Sequence, residues 1–308
     1  MLEGRVKTVL GAVFCCLLWG SAFPVIKIGY KYWGIADTDT MGIIEYAGIR
    51  FFLAGILVIV FGSILKKKII IPAVKEIPLF IILSLFQTIG QYISFYIGLA
   101  HTTGVNAAVI NSLNTVFAIL IACLGFKLES LSLKKIIGCI LGVMGVFVIS
   151  FNGEGTTFNL LGDGLIILTS LSYGVSSNLI KIFSKTHDTV MLSGYQFMFG
   201  GLVMTVVGIF GRNGEFSYNC KSPGTAFLIL VYLALVSSVA YTLWGILLKK
   251  NEVSGITVYG FVTPVAGVIL SMIILGEAAI FGWKHILALI LVSLSIVIVN
   301  MYSITTSK

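Results

Sequence analysis

Charge is what this sequence lacks. Only 10% of its 308 residues are Asp, Glu, Lys or Arg, while 58% are apolar. An average soluble domain is about 25% charged, so the chain has too few polar side chains to cover a water-facing surface. The same shortage excludes intrinsic disorder, which requires low hydrophobicity and high charge. Cysteine is scarce as well. Cys15, Cys16, Cys123 and Cys139 lie in apolar runs, where a thiol behaves as a small apolar residue. The fifth, Cys220, stands alone in a polar stretch, which excludes a disulfide framework. The three histidines, His101, His187 and His285, sit at the ends of apolar runs without metal-ligand spacing, and no metal or other cofactor is expected. A net charge of +8 would suit nucleic acid only on a soluble basic face; a chain this apolar has none, and no nucleic-acid partner is expected. What remains is a polytopic membrane protein.

Long apolar runs are abundant. A membrane-spanning helix needs about 20 mostly apolar residues. Ten windows meet that need: 8–30, 43–65, 77–100, 103–126, 133–151, 162–183, 188–211, 224–248, 253–275 and 280–302. The breaks between them are short, hold most of the charge and leave no room for a soluble domain. Strands of a membrane barrel would be about 10 residues long with alternating polarity, whereas these windows are longer and apolar on every face. Arg5 and Lys7 before the first run imitate a signal peptide, but the run is too long and no small-residue cleavage pattern follows. It is expected to persist as the first helix. The boundary at His101-Thr102-Thr103-Gly104 is the least sharply marked.

Orientation follows from Lys and Arg on alternate sides. One side holds Arg5, Lys7, Lys66, Lys67, Lys68, Lys75, Lys127, Lys134, Lys135, Lys181, Lys185, Lys249, Lys250 and Lys308. The other holds Lys31, Arg212, Lys221 and Lys284, together with Asp37, Asp39, Glu154, Asp163, Glu215 and Glu277. This bias predicts both termini in the cytoplasm. The net positive charge is thus an orientation signal directed at anionic membrane lipid.

The chain also matches itself at an offset of about 150 residues, the kind of internal periodicity that defines an architecture. Leu18-Trp19-Gly20-Ser21-Ala22-Phe23-Pro24-Val25-Ile26-Lys27 aligns with Ser172-Tyr173-Gly174-Val175-Ser176-Ser177-Asn178-Leu179-Ile180-Lys181. Gly48-Ile49-Arg50-Phe51 aligns with Gly194-Tyr195-Gln196-Phe197, after which Gly55 falls on Gly201 and Gly62 on Gly208. Tyr92 and Phe95 match Tyr241 and Trp244, and Thr115-Val116 matches Pro264-Val265. The order of helices agrees throughout. Because five is odd, the second copy enters the membrane from the opposite side. The expected fold is all-α and integral to the membrane, with ten helices forming two inverted five-helix repeats, 1–151 and 152–308. Carriers built this way hold their substrate near the midplane, between the repeats.

These stretches resemble the EamA-like transporters of the drug/metabolite transporter superfamily. The resemblance rests on Trp19-Gly20-Ser21-Ala22-Phe23 through Lys27, Arg50-Phe51-Phe52-Leu53-Ala54-Gly55, and Thr115-Val116-Phe117-Ala118 leading to Glu129. In the second half, Pro264-Val265-Ala266-Gly267 leads to Leu275-Gly276-Glu277. It covers almost the whole chain and implies efflux of a small metabolite across a bacterial cytoplasmic membrane. Two departures stand out: Thr115 replaces a frequent proline, and Lys127-Leu128 rather than Leu-Gly precede Glu129.

Polar residues inside the spans are the candidates for function. An arginine there must be paired, hydrated or able to snorkel. Arg50 either grips a substrate carboxylate or phosphate from a central cavity, or pairs with Glu45 or a loop carboxylate. Lys27 and Lys181 suit interfacial anchors. Trp19, Tyr92, Tyr173, Tyr241, Trp244 and Tyr259 are either a shared cavity wall or ordinary packing. The amides of Gln87, Gln91, Asn111, Asn114, Asn178 and Gln196 must find partners inside the protein, as helix glue or as the lining of a wet cavity. Gln87 and Gln91, four apart, and Asn111 and Asn114, three apart, suggest a polar seam between neighbouring helices. Pro24 and Pro264 interrupt their spans and serve either as hinges or as static kinks. Gly138, Gly142 and Gly145 line one side of the fifth span and suit close helix packing.

No carboxylate is deep in a span, which speaks against proton-coupled export of cationic drugs. Arg50 favours an anionic or zwitterionic solute such as an amino acid, carried by alternating access. A membrane enzyme acting on a lipid-linked substrate is the alternative class, but it would need converging catalytic groups. No enzymatic activity is expected.

Overall fold

The computed structural model describes residues 2–36, 38–99, 101–102, 110–150, 159–212, 220, 222–275 and 283–301, among which no strand is present. In hydrocarbon every backbone N–H and C=O must be satisfied within its own segment, and a helix does this. The helices are α1 (Leu2–Trp33), α2 (Thr40–Lys66), α3 (Val74–Leu99), α4 (Leu113–Gly125), α5 (Leu133–Ser150), α6 (Leu160–Phe183), α7 (Thr189–Gly211), α8 (Pro223–Lys250), α9 (253–275) and α10 (Trp283–Asn300). Several begin on polar caps. The Asp39 carboxylate accepts from the Gly42 amide at 2.8 Å, Asn159 from Leu161 at 3.0 Å, and Asp188 from Val190 at 2.9 Å, satisfying amides that a helix start leaves open. Four stretches are irregular: a 3-10 turn at Val74–Glu76 that opens α3, π turns at Leu85–Gly90 in α3 and Ile121–Gly125 in α4, and a 3-10 turn at Val258–Phe261 in α9.

Seven of these helices are, within the described residues, long and apolar enough to cross a membrane; Leu113–Gly125 and Ile286–Asn300 are shorter apolar helices. Large apolar side chains such as Phe14, Phe61, Phe147, Leu171, Leu202 and Val297 face outward. A water-soluble protein does not expose so continuous an apolar surface, and the fold is that of a multi-pass membrane protein.

The packing crosses the middle of the chain. α1 packs on α8 and α9, α6 on α3 and α4, α2 on α7, and α5 on α10. The α2–α7 contact is antiparallel and backbone to backbone. A methyl on Gly55 would stand 2.6 Å from the Gly194 carbonyl oxygen, and one on Gly201 would strike the Phe52 amide. Gly20 lies against Gly267 of α9, where a methyl would approach its amide to 3.0 Å; Gly174, aligned with Gly20, lies as closely on Phe117 of α4, at 2.9 Å. In α5, Gly138 and Gly145 face Val299 and Val292 of α10, and Gly142 faces Phe261. The Ser295 hydroxyl donates to the Gly138 carbonyl at 2.7 Å. Close packing through small residues is how helices associate where lipid is as apolar as leucine.

Two expectations change. α1 runs through Pro24 as one helix; the proline takes the donor from the Gly20 carbonyl, at the level where α1 packs closely on Ala266 and Gly267 of α9. At Pro264 the irregularity lies just upstream: a proline ring crowds the carbonyl four residues earlier, here Gly260, inside the 3-10 turn. Secondly, the Gln87/Gln91 and Asn111/Asn114 pairs do not form one seam between adjacent helices, since α3 and α4 each pack chiefly on α6. A π turn over Leu85–Gly90 widens the helix around Gln87 and just ahead of Gln91, and both side chains are buried.

If the glycine contact joins α2 to α7, Gly201→Val should lower thermal stability in detergent by about 1–3 kcal/mol. Gly224→Ala, with nothing within 4 Å of the added methyl, should be nearly silent. Equal stability of the two variants would contradict the contact.

Candidate functional site

At the centre lies a layer of rings from both halves of the chain. Phe51 of α2 stacks on Phe197 of α7, with centroids 5.3 Å apart and planes 13° from parallel. Tyr92 of α3 lies 4.5 Å from Phe51, and Tyr241 of α8 lies 5.1 Å from Phe197. The Tyr92 and Tyr241 hydroxyls meet at 2.5 Å. Residues aligned with one another in the sequence therefore touch one another here, phenylalanine on phenylalanine and tyrosine on tyrosine. Trp19 of α1 extends the layer, edge-on to Tyr241 at 4.9 Å and to Trp244 at 5.0 Å. The Trp19 indole N–H is buried without an acceptor.

Arg50 borders this layer. Its guanidinium carbon stands 4.4 Å over the Phe51 ring, and Tyr30, Tyr46, Tyr92 and Tyr96 lie within electrostatic reach. The residue is only 4% exposed, its Nε has no acceptor, and no described carboxylate comes within 4 Å. Glu45, a possible partner by sequence, instead binds Arg212 at 3.3 Å, and Arg212 reaches Asp39 at 3.4 Å. A guanidinium is always charged and presents its donors in a planar fork. The ring face of Phe51 offers it a cation–π contact but fills none of its hydrogen-bonding positions.

The remaining candidates divide. Asn178, fully buried, donates to the Ala118 and Gly174 carbonyls at 3.0 and 2.8 Å and so joins α6 to α4. Gln196, aligned with Arg50, accepts from the Thr88 hydroxyl at 2.6 Å and joins α7 to α3. Asn114 donates to Asn111 at 3.2 Å, leaving its own buried oxygen without a donor. Gln87 and Gln91 are buried in α3; the main-chain carbonyl of Gln91 accepts from the Thr169 hydroxyl at 3.1 Å, while its side-chain oxygen has no donor among the described residues. Tyr173 and Tyr259 pack in one apolar cluster with Trp244, and the Tyr259 carbonyl accepts from Cys16 at 3.2 Å. Lys27 is exposed. Tyr30, Tyr46, Tyr96 and the Phe51–Phe197 stack were not among the sequence candidates. The alignment of Phe51 with Phe197 was the available signal for the stack; nothing local marked the tyrosines. Among the described residues no group of three or more His, Cys, Asp or Glu could hold a metal.

The described residues thus form a helical multi-pass membrane protein with a ringed, cationic centre. The EamA-like transporter family model matches residues 6–151 and 160–301, and the chain belongs to that family, within the drug/metabolite transporter superfamily. Its relatives include the uncharacterized transporter YetK of Bacillus subtilis (strain 168), 27% identical over 251 residues that cover 79% of this chain and 74% of YetK. YvbV of the same organism is 23% identical, covering 95% of this chain and 92% of its own. An uncharacterized transporter of Archaeoglobus fulgidus is 25% identical, covering 88% and 90%. One solved crystal structure superposes with a TM-score of 0.76 at 17% identity, over 96% of this chain and 99% of that one, which shows a shared fold.

The Tyr92–Tyr241 bond can be tested by a double-mutant cycle. Tyr92→Phe and Tyr241→Phe should each cost about 1 kcal/mol, and the double variant should cost little more than either. Strictly additive losses would show that the two hydroxyls are not bonded.

Proposed function

We propose that this protein is a secondary transporter that moves a small anionic or zwitterionic metabolite, most simply an amino acid, out across the cytoplasmic membrane of a bacterium. In this reading ten membrane helices form two inverted repeats, 1–151 and 152–308, with both termini in the cytoplasm. The pairing of α1 with α8 and α9 has its counterpart in that of α6 with α3 and α4, as a two-fold axis in the membrane plane requires. Two halves of nearly equal shape and opposite orientation can exchange conformations at small energetic cost, which is the basis of alternating access.

The observation that carries the substrate class is the buried Arg50, which has no carboxylate within 4 Å among the described residues and whose Nε has no acceptor. An unpaired buried cation is costly, and an incoming carboxylate or phosphate would satisfy its fork bidentately. The Tyr92, Tyr241 and Trp19 rings would then line the path beside it, their polar tips facing the solute. Tyr173, Trp244 and Tyr259 would form the next shell of the same wall, and Gln87, Gln91, Asn111 and Asn114 would supply further amides. The polar seam is thereby distributed around α6.

The test is counterflow in proteoliposomes with labelled amino acids and organic anions. Saturable exchange is expected, and Arg50→Ala should weaken solute binding by about 2–5 kcal/mol, with Arg50→Lys recovering only part because an ammonium lacks the fork. Normal transport by a folded Arg50→Ala variant would remove Arg50 from the site.

A further inference from the structure

One ionic cluster lies far from the ring layer, at the lysine-rich end of the molecule. Lys135, near the start of α5, has a side chain only 2% exposed, and its ammonium contacts the Glu129 carboxylate at 2.9 Å and the Ser130 carbonyl at 2.9 Å. The Glu129 side chain is itself 4% exposed. Its two oxygens accept from the first turn of α9: the Val253 amide, the Ser254 amide at 3.3 Å and the Ser254 hydroxyl at 2.5 Å. Glu129 thus performs from another part of the chain the capping that Glu252, whose side chain makes no cap bond, does not provide. Glu252 reaches Lys135 instead, at 3.8 Å. A second cation holds the same turn. Lys181, in the last turn of α6, donates to the Asn251 and Lys249 carbonyls at 2.5 and 3.3 Å.

All the gripping groups come from the α4–α5–α6 side, and everything gripped lies between Lys249 and Ser254, where α8 ends and α9 begins. We propose that Glu129, Lys135 and Lys181 form a latch that closes the lysine-rich end of the transport path and opens once in every cycle. The inference rests on the transport reading and adds to it the place where the path is shut. Its chemistry suits a two-state device. A buried ion pair is stable when its remaining hydrogen bonds are all made, and removing one partner strands the other charge. Withdrawal of the start of α9 takes away the Val253 and Ser254 donors of Glu129 together and admits water to both ions. The closed and open arrangements are therefore each self-consistent, while partial opening is not. The two residues also face a built-in reporter: the Cys123 thiol, 7% exposed, lies 4.0 Å from the Lys135 ammonium.

The full-length protein in liposomes provides the test. A membrane-impermeant maleimide is supplied on the lysine-rich side, and modification of Cys123 is followed by peptide mass spectrometry. Wild-type protein should label slowly, and Glu129→Gln should raise the rate at least about tenfold. An unchanged rate overturns the latch. A second arm does not depend on how Glu129→Gln folds. In a Cys123→Ala, Cys220→Ser background, Glu129→Cys and Ser254→Cys are joined by a reducible bis-methanethiosulfonate. Flux should stop on joining and return with reductant; flux that continues through the joined protein overturns the proposal. If even wild-type liposomes carry no solute, the transport reading fails by itself, and Cys123 labelling still decides whether the latch opens.

Discussion

The close approach of α2 and α7 is the constraint on which the rest of the molecule hangs. Surrounded by lipid as apolar as their own side chains, two helices gain little from hydrophobic burial and must associate through tight contact. Gly48 and Gly55 on one helix and Gly194 and Gly201 on the other remove the side chains that would hold the backbones apart. Phe51 and Phe197 fall between those glycines and have no choice but to stack. Tyr92 and Tyr241 then close over the stack from α3 and α8. Arg50 is carried to the side of this layer where Tyr30, Tyr46 and Tyr96 gather, and Gln196 to the Thr88 contact.

The second consequence is that the halves of the sequence are not the bodies of the structure. α1 is packed among helices of the second half and α6 among those of the first. The main apolar cluster accordingly mixes Cys15 and Cys16 with Tyr259 and Phe261, and Phe80 with Met191. The two larger clusters draw on both halves, and only the small Ile119, Cys123 and Cys139 group among the described residues belongs to one half alone. The exchange of α1 and α6 also leaves the α8–α9 turn within reach of α4, α5 and α6.

Buried polar groups mostly obey one rule: each is turned toward a backbone group that irregular or crossing helices leave available. Thr115 donates to the Thr257 carbonyl at 3.0 Å, just ahead of the 3-10 turn of α9. Asn178 and Ser295 bind carbonyls on neighbouring helices, and Lys135 has both a carboxylate and a carbonyl. In the apolar interior such bonds are obligatory, since no water replaces them. The Arg50 Nε departs from the rule, as do the Trp19 indole and the Asn114 oxygen, but Arg50 also carries a charge, which is the reason for assigning it a solute.

The sequence by itself determined the class. Its apolar runs dictate membrane helices, its motifs carry the family, and its self-similarity aligned Phe51 with Phe197 and Tyr92 with Tyr241 before any contact was visible. These properties are legible because they depend on composition and periodicity, which are local. Only the tertiary structure decided which polar residues join helices and which stand free. Asn178 and Arg50 look alike as polar residues in apolar runs, yet Asn178 donates to two carbonyls, while the Arg50 Nε has no acceptor among the described residues. Nor did spacing reveal that Glu45 belongs to Arg212, that α6 separates the two amide pairs, or that Glu129 caps a helix more than a hundred residues away. Hydrogen bonds and ion pairs act over about 3–4 Å, and helix packing, rather than position along the chain, sets which groups come within that distance.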